Sequence, residues 1–203
     1  MKTLTVKPNE IPFKINSLRK YLRMGSNSDS LNSVLALAEG IYLRDLHLAD
    51  PVITYTILEI KAGDEENLNI TFENNLVLNG NGIYRLLKDC HSAAIYFLSL
   101  GPALEKKIKE LQAEDFYSAY ILDGVASELV TGLQEIVLKE LTDISAPAGI
   151  KLTKRFSPGY RGWDLSEQKK LFSLPGIEKT GIQLTEECYM LPAKSVSGIY
   201  GFY

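Results

Sequence analysis

The sequence predicts an α+β fold, a twisted and mostly antiparallel sheet flanked by helices, built as one domain over residues 1–203. Three observations carry that expectation. Apolar residues make up 45% of the chain and charged residues 23%, ordinary proportions for a folded globular protein. A chain of 203 residues buries roughly 70% of its unfolded surface and needs no staples. Strand-like and helix-like segments are segregated and uneven in length, without regular βαβ units, which argues against a doubly wound parallel sheet.

Taken in order, Asp29 and Ser30 are helix caps. Behind them Leu31, Val34, Leu35, Ala38, Ile41, Tyr42, Leu46 and Ala49 form one apolar stripe on a helix that stops before Pro51. Residues 52–60 are β-branched and aromatic and read as a strand. Asn69–Phe72 and Leu76–Leu78 read as two more, with Asn79-Gly80 and Asn81-Gly82 marking a turn before a short helix over 83–89. Ala93–Leu100 has the composition of a buried strand. Gly101-Pro102 ends it and opens a helix over 103–112. The longest periodic stretch is 116–141, interrupted by Gly124 and Gly132. Each costs about 1 kcal/mol against alanine, which close helix packing would explain. Lys151–Phe156 reads as extended, 157–163 as a loop, 164–174 as an amphipathic helix, and Ser195–Tyr203 as a final strand.

Composition excludes several classes of function. Net charge is −3 and the isoelectric point about 5.5, so no overall basic field draws the chain to nucleic acid or anionic lipid. Charge is unevenly spread, with net +5 over residues 1–23, −6 over 39–73 and +4 over 150–170, a pattern that solvated faces commonly produce. Two cysteines make no disulfide framework. The first residues lack the apolar core of a signal peptide, and no apolar run reaches membrane-spanning length. A cytoplasmic protein without membrane or nucleic-acid partners is the expectation.

Most candidate motifs fail on inspection. Gly80-Asn81-Gly82-Ile83-Tyr84-Arg85 opens like a dinucleotide fingerprint but ends in arginine, so a turn and a helix start explain it. Asp45-Leu46-His47-Leu48-Ala49-Asp50 departs from the Asp-x-His-x-x-Gly loop that ligates a corrinoid cobalt, which leaves His47 as a helix-end histidine. Cys90-His91 with a distant Cys188 lacks the paired spacing of a zinc site, and buried, inert cysteine is the better reading. The chain has 2 histidines, which restricts general-base schemes. No nucleophile elbow or P-loop is present.

Arg155-Phe156-Ser157-Pro158-Gly159-Tyr160 is different. Pro-Gly is the central pair of a type II turn, whose bare glycine lets a ligand approach the backbone. Arg155 presents a planar fork suited to a carboxylate. Tyr160 and Trp163 offer aromatic faces, and Lys151, Lys154 and Arg161 raise the local potential. A zwitterionic, aromatic ligand fits that combination. The plain alternative is a turn with a salt-bridged arginine.

These residues also carry a family resemblance. Arg155–Tyr160 resembles the Arg-x-x-Pro-Gly-Tyr motif of the activation domain of cobalamin-dependent methionine synthase. A helix with Gln168, Lys169, Lys170 and Leu171 follows. Leu184-Thr185-Glu186 with Cys188-Tyr189-Met190 is similar to the family's Leu-Thr-Glu-Ser-x-x-Met segment, and Ser195-Val196-Ser197-Gly198 to its Ser-Val-Ser-Gly. Upstream, Asp123, Ala126, Leu133 and Glu135 fall along a comparable long helix. Residues 90–101 resemble small stand-alone versions of the domain.

The resemblance implies that family's α+β fold and S-adenosylmethionine as ligand, bound through Arg155, Pro158, Gly159, Tyr160, Ser197 and Gly198. Arg155 would hold the methionyl carboxylate. It implies no catalytic residue and no metal of the chain's own, with cobalamin carried only by the partner. That partner would be a cobalamin-dependent methionine synthase, or another corrinoid protein, whose cob(II)alamin is reductively remethylated with electrons from a flavodoxin-like donor. A docking module that uses no ligand is the alternative, and no turnover by the chain alone is expected. Two departures stand out. The family's ligand-contacting acid near the start of the domain has no counterpart, and its tyrosine pair beyond Ser-Val-Ser-Gly falls past Tyr203.

Overall fold

The computed structural model describes residues 1–22 and 28–203. In chain order the elements are β1 (Lys2–Thr5), α1 (Leu18–Tyr21), α2 (Ser28–Asp45), β2 (Val52–Asp64), β3 (Asn69–Phe72), β4 (Val77–Asn79), α3 (Asn81–Leu87), β5 (Ser92–Ser99), α4 (Pro102–Glu114), α5 (Phe116–Ser145), α6 (Gln168–Leu171), β6 (Gln183–Leu184), β7 (Met190–Leu191) and β8 (Ser195–Phe202). Every pairing among them is antiparallel.

The main sheet runs β4-β3-β2-β5-β8, and β1 pairs with the first residues of β2. β2 is long enough to serve β1 and β3 in succession along one side. The β2–β3 pairing carries a register shift between Ile60 and Ala62. Such a bulge bends the strand and strengthens its twist, so the sheet curls. β5 is central, and all of Ala93–Ser99 are buried, which is why that run is apolar without alternation. Ala94, Tyr96 and Leu98 face the helices; Ala93, Ile95 and Phe97 face the opposite cluster with α3 and Trp163.

α5 is the principal helix against the first face. Asp115 caps it, its carboxylate accepting from the Ser118 amide at 3.1 Å. A Cβ on Gly132 would lie 2.7 Å from Ile11 Cγ2 and closer still to the Pro12 carbonyl, and one on Gly124 3.1 Å from Leu22. Both glycines therefore exist so that the N-terminal segment can lie on the helix. Val34, Ala38 and Ile41 of α2 are buried as the stripe requires, and the helix gives way to a 3-10 turn over Leu46–Leu48 before Pro51. The capping role of Asp29 and Ser30 falls on side chains outside those described.

Three features differ from expectation. The helix over 164–174 is a 3-10 turn, Leu165–Glu167, followed by the single turn of α6. Asp164 caps that entry by accepting from the Ser166 amide at 2.8 Å, which sets a tight first turn, and Pro175-Gly176 closes the segment. β1 was not anticipated, nor was the β6–β7 hairpin, whose strands are two residues each.

Candidate functional site

The segment 151–157 lies along the outer edge of β8. Lys151 and Tyr203 exchange two backbone hydrogen bonds of 3.0 Å, the Thr153 amide donates to the Gly201 carbonyl at 2.9 Å, and Phe156 and Ile199 exchange bonds of 3.1 and 2.8 Å. Leu152 stands opposite Phe202 but Phe156 opposite Ile199, so the register slips by one residue across Lys154–Arg155. The slip re-aims Arg155 toward α5. There its Nη1 donates to Oε1 of Gln134.

The turn that follows has the expected form. The Tyr160 amide donates to the Ser157 carbonyl at 3.2 Å, and Gly159 has φ +89°, which a type II turn assigns to glycine. The loop closes on itself through Gly159 N to Trp163 O, 2.8 Å, and Trp163 N to Tyr160 O, 2.9 Å. Trp163 is not a ligand face. It is 1% exposed and stacked on Phe156 with centroids 5.7 Å apart and planes 9° from parallel. It anchors the loop, which also leans on the Gly80–Gly82 turn through Gly82 N to Gly162 O at 2.7 Å.

Between this loop, α5, α6, β8 and the β6–β7 hairpin lies a cleft of about 510 Å³. Arg155, Ser157, Pro158, Tyr160 and Ser197 line it, as the sequence proposed. So do Gln134, Gln168 and Cys188, which it did not single out as ligand residues. Tyr160, Tyr189 and Leu191 are exposed along the cleft. A hydrogen-bond chain forms one wall. Ser157 Oγ donates to the Ser197 carbonyl at 2.8 Å, Ser197 Oγ to Gln168 Oε1 at 3.1 Å, and Gln168 Nε2 to the Cys188 carbonyl at 3.2 Å. Gln168 is 3% exposed, so the chain ties the β6–β7 turn to β8 from inside.

Gly159 and Gly198 lie away from this cleft. Gly159 borders a neighbouring depression with Asn79 and Glu167. Gly198 faces the helix side, under Tyr96: a Cβ there would meet Tyr96 Cζ at 2.6 Å and Cε1 at 2.8 Å, with Oη closer still. The Tyr96 side chain is fully buried, with the Ser157 hydroxyl beside its own. Burial pushes its pKa up, and the positive charge of Arg155 acts against that. Arg161 belongs to another depression, with Arg85 and Gly82, so it adds nothing to the cleft wall.

Among the described residues lining the cleft, Arg155 is the one charged side chain. Cys188 lies there on a left-handed backbone, φ +68°. Cys90 is elsewhere, its thiol pushed up to about 11 by burial and, secondarily, by Asp89. Both cysteines are free. His47 is exposed, with Nδ1 2.8 Å from the Arg44 carbonyl. No group of three metal-ligating side chains occurs among the described residues, and no described helix is long and apolar enough to cross a membrane. A lone guanidinium among neutral hydroxyl, amide and sulfur groups can bind and orient an anion-bearing ligand.

Comparison with known proteins agrees with the family resemblance. The family model of the activation domain of vitamin B12 dependent methionine synthase matches residues 88–202. The fold is similar to a crystal structure of the MetH reactivation domain bound to AdoHcy, with TM-score 0.78 and 14% identity, over 98% of this chain and 77% of that one. No curated protein matches in sequence.

Proposed function

Because this chain belongs to the family of the vitamin B12 dependent methionine synthase activation domain, we propose that it binds S-adenosylmethionine in the Arg155 cleft and serves reactivation of a corrinoid protein. The partner in this reading is a cobalamin-dependent methionine synthase, met in the cytoplasm, with a flavodoxin-like protein as electron source. The chain acts as a stand-alone reactivation partner for the reductive remethylation of cob(II)alamin.

The observation that carries the proposal is the placement of Arg155. The register slip beside β8 delivers its guanidinium to the cleft, where it forms no ion pair with any described residue. A cleft of about 510 Å³ lies within the range of small-molecule sites, roughly 300–1,000 Å³. The guanidinium fork matches the methionyl carboxylate. Tyr160 supplies an aromatic face, Ser157 and Ser197 supply polar groups, and Met190 with Leu191 supplies apolar wall. The family resemblance adds backbone at Pro158 and Gly159 and proximity to Gly198. Gly198 itself makes room for the Tyr96 ring.

The bond-making chemistry is that of the corrinoid on the partner. What this chain contributes is position. Arg155 holds one end of the ligand, the hydrogen-bonded wall through Gln168 keeps the cleft in shape, and the Pro158-Gly159 turn sets the orientation of Tyr160. Holding a methyl donor in one geometry removes the entropic part of a bimolecular encounter.

Calorimetric titration with S-adenosylmethionine tests the reading. Arg155→Ala should weaken binding by about ten-fold or more, since a charge-assisted pair is worth roughly 1.5–3 kcal/mol. With a methionine synthase lacking this domain in its cob(II)alamin form, a reductant and labelled S-adenosylmethionine, label should reach cobalt only when the chain is added. Wild-type chain that binds no S-adenosylmethionine, alone or with the corrinoid protein, overturns the proposal.

One observation favours a second reading. No carboxylate lines the cleft among the described residues, so a ligand ammonium or ribose would meet neutral acceptors only. A docking module that steadies the reactivation conformation without ligand accounts for that. It requires capture of a corrinoid domain and reactivation that Arg155→Ala leaves unchanged.

A further inference from the structure

The geometry points to Gln134 of α5 as the residue that positions Arg155 and keeps its charge available for a ligand carboxylate. This inference rests on the proposed reading of the cleft and adds a specificity determinant to it.

The two partners stand on unequal supports. Gln134 directly follows Leu133, fully buried, and Gly132, whose contact with Pro12 packs the N-terminal segment onto α5, so its backbone is fixed. Arg155 is held by its neighbours' bonds to β8, but its long side chain is free to turn about several bonds. It borders two spaces at once: the cleft of about 510 Å³ and a second depression of about 440 Å³ lined by Thr131, Thr153, Lys154 and Tyr200. Gln134 borders both as well. Its hydrogen bond to Nη1 holds the guanidinium on the boundary and leaves the remaining N–H donors of the fork unclaimed by Gln134.

The chemistry of the acceptor matters as much as its place. An amide oxygen accepts without neutralising the guanidinium, whereas a carboxylate there would form the ion pair that the ligand is meant to form. The nearest acid on the same helix, Glu135, is engaged by Lys14 instead. A neutral acceptor on a rigid helix beside an uncompensated arginine is a site set to receive an anion.

The test compares two ligands on the intact chain by calorimetry. S-adenosylhomocysteine carries the amino-acid carboxylate; 5′-methylthioadenosine shares the adenosine and the thioether but lacks the amino-acid end. Gln134→Glu keeps the shape and adds a charge; Gln134→Met keeps the length and removes the acceptor. The expected result for S-adenosylhomocysteine is a loss of about three- to ten-fold in Gln134→Met, the cost of ordering one long side chain on binding. The loss in Gln134→Glu should be larger, about ten-fold or more, because the ion pair must be broken. Affinity for 5′-methylthioadenosine should stay within about two-fold of wild type in both, since experimental scatter in such comparisons is of that order. Unchanged S-adenosylhomocysteine affinity in both variants overturns the inference and leaves the cleft reading standing. Equal weakening of both ligands also overturns it, since that marks a damaged cleft. Wild-type chain that binds neither ligand overturns the parent reading and this inference with it.

Discussion

Gly198→Ala should destabilise the fold by about 2 kcal/mol, through Tyr96 and not through the backbone. Gly198 has no positive φ, so alanine suffers no conformational strain there and gains about 0.4–1 kcal/mol from a stiffer unfolded chain. Against that gain stands the ring. The new methyl carbon would lie 2.6 Å from Tyr96 Cζ and 2.8 Å from Cε1, about 1 Å inside ordinary contact. Tyr96 has no room to yield: it is fully buried, stands directly opposite Gly198 in the β5–β8 register, and has Tyr200 stacked at 5.8 Å. Overpacking of that kind costs about 1–3 kcal/mol and at times more, and a rigid aromatic pinned between strands belongs at the upper end. Urea unfolding followed by Trp163 fluorescence, the single tryptophan of the chain, measures the net effect. Adding Tyr96→Val to Gly198→Ala should recover part of the loss, with a coupling of at least about 1 kcal/mol in the double-mutant cycle. An alanine variant within about 0.5 kcal/mol of wild type, or strictly additive changes, would refute the steric reasoning.

Gln168→Leu should cost about 1–3 kcal/mol by leaving the Cys188 carbonyl and the Ser197 hydroxyl without their partner, and amide exchange over 185–191 should quicken; unchanged exchange there would show that the wall does not depend on it. Hydrogen bonds from Lys2 at 2.7 Å and Tyr55 at 2.8 Å hold the Glu140 carboxyl below its ordinary range. A depressed carboxylate stabilises above its unfolded pKa and loses that contribution as pH falls through the folded value, so Glu140→Gln should flatten the acid limb of the stability profile below about pH 4.3, and an unaltered limb counts against it. With its thiol pushed up to about 11, Cys90 should alkylate far more slowly at pH 8 in the folded chain than in urea, because the thiolate is the nucleophile; equal rates by peptide mapping would contradict the assignment.

How much of this was legible depends on how local each signal is. β5 announced itself because a strand buried on both faces must be apolar throughout, and the Pro158-Gly159 turn because its conformation is written in two adjacent residues. The two α5 glycines were legible as anomalies, but their cause, the Pro12 and Leu22 contacts, lies more than 100 positions away, as the Tyr21–Thr131 separation of 110 shows. β1 and the β6–β7 hairpin escaped notice because two to four residues hold no periodicity, and their pairing partners supply the order. Trp163 was misread for a physical reason. Aromatic composition beside a turn fits a ligand face and a loop anchor equally, and the stack on Phe156 decides between them. Gln134, and the cleft role of Gln168, are the harder omission. A glutamine carries no motif, and both act through side-chain bonds 20 or more positions along the chain, where only the folded register brings the partners together.

The last main-sheet strand to arrive is the one that completes the cleft. Ser195 bonds to Ser99 across 96 positions, so during synthesis the apolar β5 leaves the ribosome long before β8 exists to cover its second edge. Through that interval the nascent chain presents a largely apolar strand with one edge open, the kind of edge that recruits other chains. Acquisition of the ligand-holding loop and relief from that exposure are then the same event, because the segment carrying Arg155 has no strand to lie against until Ser195–Phe202 has docked. A ligand present in the cell while the chain is being made would reward the docked state alone, which ties the yield of soluble protein to the supply of the small molecule it is proposed to hold.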